Sequence, residues 1–234
     1  DVVGGRSLLW ARQVYRWSEQ DFNANSSDGL GNPWPVSYQD IEPWYSYVEK
    51  FIGVSGQAEG LSQLPDSEFL PTMEYFALEK TIKGRLQRKL PNVPITIGRC
   101  AVLTQEHNGR APCHYCGPCH RGCSTGSYFS SQSSTLPAAN ATGNLTLLSN
   151  KVVKRLQHDE SGAQITGVET VDSQTGEHKV YTAKLFFLCA STLGSTQIML
   201  NSASDKHPNG LANTSGVLGK YLMDHAQVSH MAMF

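Results

Sequence analysis

Four cysteines stand within eleven positions, in Cys113-His-Tyr-Cys116-Gly-Pro-Cys119-His-Arg-Gly-Cys123. The spacing matches the run that wraps a bacterial iron–sulfur cluster, except that Ser124 stands where that run has proline. Zinc is a second occupant of four thiolates. A metal-free reading, as local thiols or a short disulfide such as Cys113 with Cys123, stands beside both. Gly117, Pro118 and Gly122 provide the turns, and His114, His120 and Arg121 are positive or polarisable neighbours that favour thiolate. Cys100 and Cys189 lie apart from this bunch. Such crowding does not suit a stapled secreted fold, whose bridges join distant segments.

A second segment with chemical potential is Val3-Gly4-Gly5-Arg6-Ser7-Leu8-Leu9-Trp10. Adjacent glycines let the backbone run close to a bulky ligand and turn N–H groups toward phosphate oxygens. Taken alone the pattern also describes a tight surface turn.

The elements that must position these segments divide the chain. After the aromatic-rich stretch Trp10–Phe22 comes a loop over 23–35, rich in Asn, Ser, Asp, Gly and Pro. Ser37 and Asp40 predict a capped helix start, and Ile41, Trp44, Tyr45, Val48, Phe51 and Ile52 keep helical spacing until Gly53. Pro43 is expected to kink or restart that helix. A second helix is predicted from Met73 to about Leu90, where Leu78, Ile82, Leu86 and Leu90 fall every fourth residue. Beyond residue 141 strands dominate. Asn144–Leu148 with Val152-Val153 is one apolar run, Ile165–Val171 alternates, Ser173–Gly176 turns, and His178–Tyr181 returns. Leu185–Ala190 reads as a strand covered on both faces, and Gln197–Ser202 as a short helix after the break at 191–195.

Of the 234 residues, 39% are hydrophobic and 17% charged, an ordinary globular composition, and the formal net charge is -1. That balance offers no global electrostatic pull toward nucleic acid or anionic membrane. No apolar run has bilayer-spanning length. The chain opens on Asp1-Val-Val-Gly-Gly and stops at Met233-Phe234, and both ends read as truncated. An internal fragment is therefore expected, and its compartment is unreadable.

Four segments in order carry a resemblance. They are Val3–Trp10; Trp34-Pro-Val-Ser-Tyr38 with Phe51-Ile-Gly53; Ala190-Ser-Thr-Leu-Gly-Ser-Thr-Gln-Ile-Met-Leu-Asn-Ser202; and Leu218-Gly-Lys-Tyr-Leu-Met-Asp-His225. Together they resemble the glucose–methanol–choline (GMC) oxidoreductase family, in its pyranose-oxidase-like and bacterial sugar or polyol dehydrogenase branch.

The resemblance implies a mixed α/β fold: part of an FAD-binding Rossmann-like domain with a β-meander, interleaved with part of a substrate domain. The implied segments are 1–35 (FAD-binding, with the Gly-Gly loop), 36–139 (helical and cysteine-loop insertion), 140–212 (FAD-binding) and 213–234 (start of the substrate domain). It implies that Gly4, Gly5 and Ser7 run past the FAD pyrophosphate and flavin, with Leu9 and Trp10 near the isoalloxazine. Val153 is implied to meet the adenine through its backbone, and Ala190 and Ser191 to lie where a strand hands over to a helix. Leu9 stands where pyranose oxidases carry the histidine that bonds to flavin, so covalent attachment there is excluded. The family's Gly-x-Gly-x-x-Gly unit and its carboxy-terminal catalytic histidine are not in these 234 residues, so no residue is assigned as catalytic. His225 and His230 read as structural. The expected activity is oxidation of a CH–OH group of a sugar, polyol or other alcohol, with an electron-acceptor subunit as partner. The chain alone is expected to hold FAD weakly. The rivals are an iron–sulfur or zinc electron-transfer module built on Cys113, Cys116, Cys119 and Cys123, and a non-catalytic remnant that folds with a partner.

Overall fold

The computed structural model describes residues 2–29, 31 and 33–224. The chain divides into two compact units, Asp1–Thr146 and Leu147–Phe234. The mixed α/β class expected from the sequence is the one observed, with five α-helices and a three-stranded antiparallel sheet among the described residues.

In the first unit, helix α1 spans Glu19–Ser27, α2 Tyr38–Ile52, α3 Ala77–Lys89 and α4 Thr135–Ala141. Helix α2 begins as predicted: Ser37 Oγ accepts from the Asp40 N–H, and the Asp40 carboxylate accepts from the Ser37 N–H at 2.8 Å. It ends at Gly53, whose φ of 77° suits glycine and whose N–H donates to Glu49 O. Pro43 neither stops nor restarts it, and the helix runs through as one element. Helix α1 lies partly where a loop was expected. Its Ser18–Asp21 capping box starts it, and edge-to-face packing of Trp17, Phe22 and Trp34 holds it.

The core gathers Ile52, Val54 and Ala101, with Trp10, Val14, Phe51, Phe69 and Phe129 packed against them. Short extended segments are knitted through residues 99–103 instead of forming a regular sheet. Ala101 N–H donates to Arg12 O and Phe129 N–H to Ala101 O, each at 2.8 Å, while Ser55 and Cys100 exchange bonds of 2.8 and 2.9 Å. Cys100 is thus a structural residue. Two buried arginines tie the periphery to this core. Arg16 grips Glu49 of α2 through Nε and Nη2, the latter at 2.6 Å, and Arg99 reaches Asp66 at 2.8 Å.

In the second unit, β1 (Lys151–His158), β2 (Ile165–Asp172) and β3 (His178–Thr182) form a sheet in the order β1-β2-β3; β2 and β3 are the expected pair, whereas residues 144–148, expected in the first strand, lie outside it. Asp172 builds the turn between β2 and β3, because its Oδ1 accepts from the Gln174 and Thr175 N–H groups. Helix α5 (Ser191–Asn201) packs on β1, where Ser202 Oγ accepts from the Leu156 N–H at 2.8 Å. It starts six residues earlier than the spacing predicted. Gly194 sits inside it with only Ala190 Cβ near its missing side chain, so the glycine does not end the helix. Leu185–Ala190 forms no strand among the described residues, so it is not the covered strand expected. Phe187 is 82% exposed. An apolar run becomes a strand only when a neighbour supplies ladder partners.

Candidate flavin loop and its supports

Val3–Trp10 folds as a turn followed by a short 3-10 helix, Gly5–Leu8. Gly4 has φ 99° and Gly5 φ 50°, which a side chain adopts only with strain. A Cβ on Gly5 would meet nothing within 4 Å, so the outer side of the loop is open. Gly5 N–H donates to Val2 O at 3.0 Å and Ser7 N–H to Gly4 O at 3.1 Å; the amides of Gly4 and Arg6 take no part in these bonds. Successive amides around left-handed residues make an anion-binding concavity, so the chemistry of this loop fits a pyrophosphate.

A segment more than a hundred residues away fixes that loop. Tyr128 donates its hydroxyl to Leu8 O at 2.9 Å, Ser131 N–H donates to Ser7 Oγ at 2.9 Å, and Gln132 Nε2 donates to Val3 O at 2.7 Å. Trp10 Nε1 donates to Phe129 O at 3.0 Å, and the two rings meet edge to face. Ser7 Oγ lies 2.5 Å from Gly4 O and 3.2 Å from Ser131 Oγ, so its hydroxyl closes the loop on itself. Tyr128, Ser131 and Gln132 go unnoticed in the sequence, because nothing in their spacing announces the partner they meet. Leu9 is 82% exposed beside this loop, while Trp10 packs against the core.

The remaining predicted cofactor residues lie in the second unit. Val153 pairs with Thr170, and the register of β1 on β2 shifts immediately after it. Such a bulge re-aims the local backbone. Ala190 caps α5 with no side-chain bond, and Ser191 has φ 62° at the first helical position. Both are exposed, so the N-terminal amides of α5 are uncapped by any side chain. His225 and His230 lie outside the described residues.

The cysteine run behaves differently from its spacing. All six cysteines are free thiols. Among the described residues no three His, Cys, Asp or Glu side chains come together as metal ligands, so Cys113, Cys116, Cys119 and Cys123 are not gathered around one centre. The backbone breaks the run into separate turns, with positive φ at Tyr115, Gly117 and Gly122 and a 3-10 turn at Cys119–Arg121. Burial pushes the Cys123 thiol up. Hydrogen bonds from the Thr125 hydroxyl and the N–H groups of Tyr128, Thr125 and Ser127 outweigh it and bring the thiol below its usual range. Cys123 also joins Leu8, Tyr128 and Gln132 in lining a cavity of about 190 Å³, so the last cysteine borders the Gly-Gly loop.

The family model for GMC oxidoreductases matches residues 1–227. The chain is 30% identical to 2-methyl-1,2-propanediol dehydrogenase of Mycolicibacterium austroafricanum, over 95% of this chain and 40% of that protein. It is 27% identical to the fructose dehydrogenase large subunit of Gluconobacter japonicus, over 95% of this chain and 41% of the relative. With the gluconate 2-dehydrogenase flavoprotein of Pantoea cypripedii the identity is 26%, over 93% and 40%. The chain therefore spans about 40% of the length of these curated relatives. By a family match over nearly all its length, this chain belongs to the GMC oxidoreductase family.

Proposed function

We propose that this chain forms the flavin-facing part of an FAD-dependent oxidoreductase that oxidises a CH–OH group of a sugar, polyol or similar alcohol. The observation that carries the reading is the Gly4-Gly5 turn, with both glycines in left-handed backbone and its outer side open. In the first unit, Gly4 and Gly5 would border the pyrophosphate and flavin, Ser7 would hold their turn, and Leu9 and Trp10 would stand near the ring. In the second unit, the Val153 backbone would meet the adenine, and the uncapped start of α5 at Ala190 and Ser191 would present N–H groups and a positive dipole end. Bound flavin supplies the hydride acceptor, while the protein aligns donor and ring. No residue here is assigned the proton-accepting role. The relatives' names point to diol, fructose and gluconate donors, and one is a large subunit, so an electron-accepting partner subunit belongs to the proposal. Among the described residues no helix is long and apolar enough to cross a membrane.

The test is flavin content after desalting, in the protein as its gene encodes it and in Gly5→Val. The wild type should retain FAD, release it on acid precipitation because Leu9 offers no nucleophile, and lose most of it in the variant. Colour that stays in the acid pellet would contradict the role given to Leu9. Full retention by a folded Gly5→Val would contradict the loop.

A further inference from the structure

Three arginines of the first unit are buried, Arg16, Arg99 and Arg110. Two of them have a carboxylate: Arg16 pairs with Glu49 and Arg99 with Asp66. Arg110, only 6% exposed, has none within ion-pair distance among the described residues. Its Nη2 donates to Ile52 O near the end of α2 and its Nη1 to Gly126 O at 3.4 Å, while Nε has no partner. The helix-end carbonyl offsets part of the charge through its dipole. Two carbonyl dipoles do not replace a counter-ion, and a buried charge without one is costly. Burial accordingly pulls the guanidinium below its ordinary value, with no neighbouring charge acting on it.

Arg110 lines a cavity of about 410 Å³ with Phe51, Asn108, Ser133, Ser134 and Pro137. Ser134 is 9% exposed and precedes α4, yet its hydroxyl makes no capping bond. That hydroxyl is therefore available to a ligand at the same cavity. Asn108, by contrast, spends its amide on Phe51 O at 3.0 Å. The cavity has the size and the apolar-walled, few-polar-group character of small-ligand sites.

We propose that this cavity is an oxyanion site, taking the carboxylate or phosphate end of a small organic acid or ester. The guanidinium supplies the missing ion pair, while the Ser134 hydroxyl donates a further bond. Phe51 and Pro137 would cover a short apolar part.

Isothermal titration of the purified protein with inorganic phosphate and, separately, butyrate, each at matched ionic strength with chloride as reference, tests it. Saturable binding of either anion is expected, and which of the two binds more tightly separates the phosphate from the carboxylate source. Arg110→Gln should abolish binding, Ser134→Ala should weaken it about ten-fold, the worth of one charge-assisted hydrogen bond at the low end, and Arg88→Gln, on the exposed face of α3, should leave it unchanged. If Arg110→Gln fails to fold, Ser134→Ala decides, because it leaves the guanidinium in place. No binding of either anion, or binding equal in wild type and Ser134→Ala, overturns the site.

Discussion

Gly53 illustrates how one position can hold several elements together. A Cβ there would overlap Leu103 and come within 2.9 Å of the His107 ring, and the backbone φ is already 77°. Gly53→Ala should cost about 2–4 kcal/mol, from a left-handed alanine plus a forced shift of buried Leu103, and urea midpoints would read it. Gln132→Ala removes a single bond to Val3 O, so flavin affinity should fall about two- to ten-fold with little change in melting temperature. Fluorescence quenching of added FAD measures the first quantity and a thermal scan the second. Alongside Asp172, Glu169 contributes to acid behaviour in the second unit. Hydrogen bonds from His178, Arg155 and Lys154 lower its carboxyl from 4.5 to about 2. A lowered folded value means stability that is whole above about pH 4.5 and is lost as pH falls toward 2. Glu169→Gln should make that acid limb shallower, Asp172 accounting for what remains, monitored as sheet signal against pH. The glycines of the loop were legible because glycine pairs state a backbone requirement in their own letters. Arg110, Tyr128 and Gln132 were not, because each matters through a partner or a missing partner far along the chain.

Legibility among the elements followed the same division. Helix α2 could be read from local chemistry alone, since Ser37, Asp40, the apolar spacing and Gly53 all lie within it or at its ends. The meander was readable too, because alternation and the turn around Asp172 are local signals. Helix α1 was hidden by a stretch rich in Asn and Ser, although Ser18 and Asp21 stood at capping distance. The apolar run Leu185–Ala190 misled in the opposite sense, since apolarity alone does not supply a ladder neighbour. Helix α3 buries none of its residues, and Leu78 stands largely in solvent. A helix of 13 residues without a buried face is marginal, so propensity dominates its stability. Gly84 lies inside it, and a Cβ at that position would meet nothing within 4 Å. Gly84→Ala should therefore stabilise α3 by about 0.5–1 kcal/mol, slowing amide exchange of that helix while leaving α2 unchanged.

For the whole molecule, the ordered segments pointed to a family where no single motif could, and the family match over residues 1–227 shows it. The cysteine run was the sharpest pattern in the sequence, yet its thiols do not converge, because spacing states which residues are near in sequence and not how the intervening turns bend. The Gly-Gly loop, weak as a pattern, is instead held from Tyr128, Ser131 and Gln132. Under the proposed function this loop serves a flavin that takes hydride from an alcohol. Anaerobic mixing of the FAD-loaded protein, as its gene encodes it, with a panel of polyols, sugars and sugar acids tests that claim most directly. The visible flavin absorbance should bleach with at least one donor and recover on adding an electron acceptor, and Gly5→Val should show neither flavin nor bleaching. A protein that binds no FAD, or whose bound flavin stays oxidised with every donor yet bleaches with dithionite, would contradict the account.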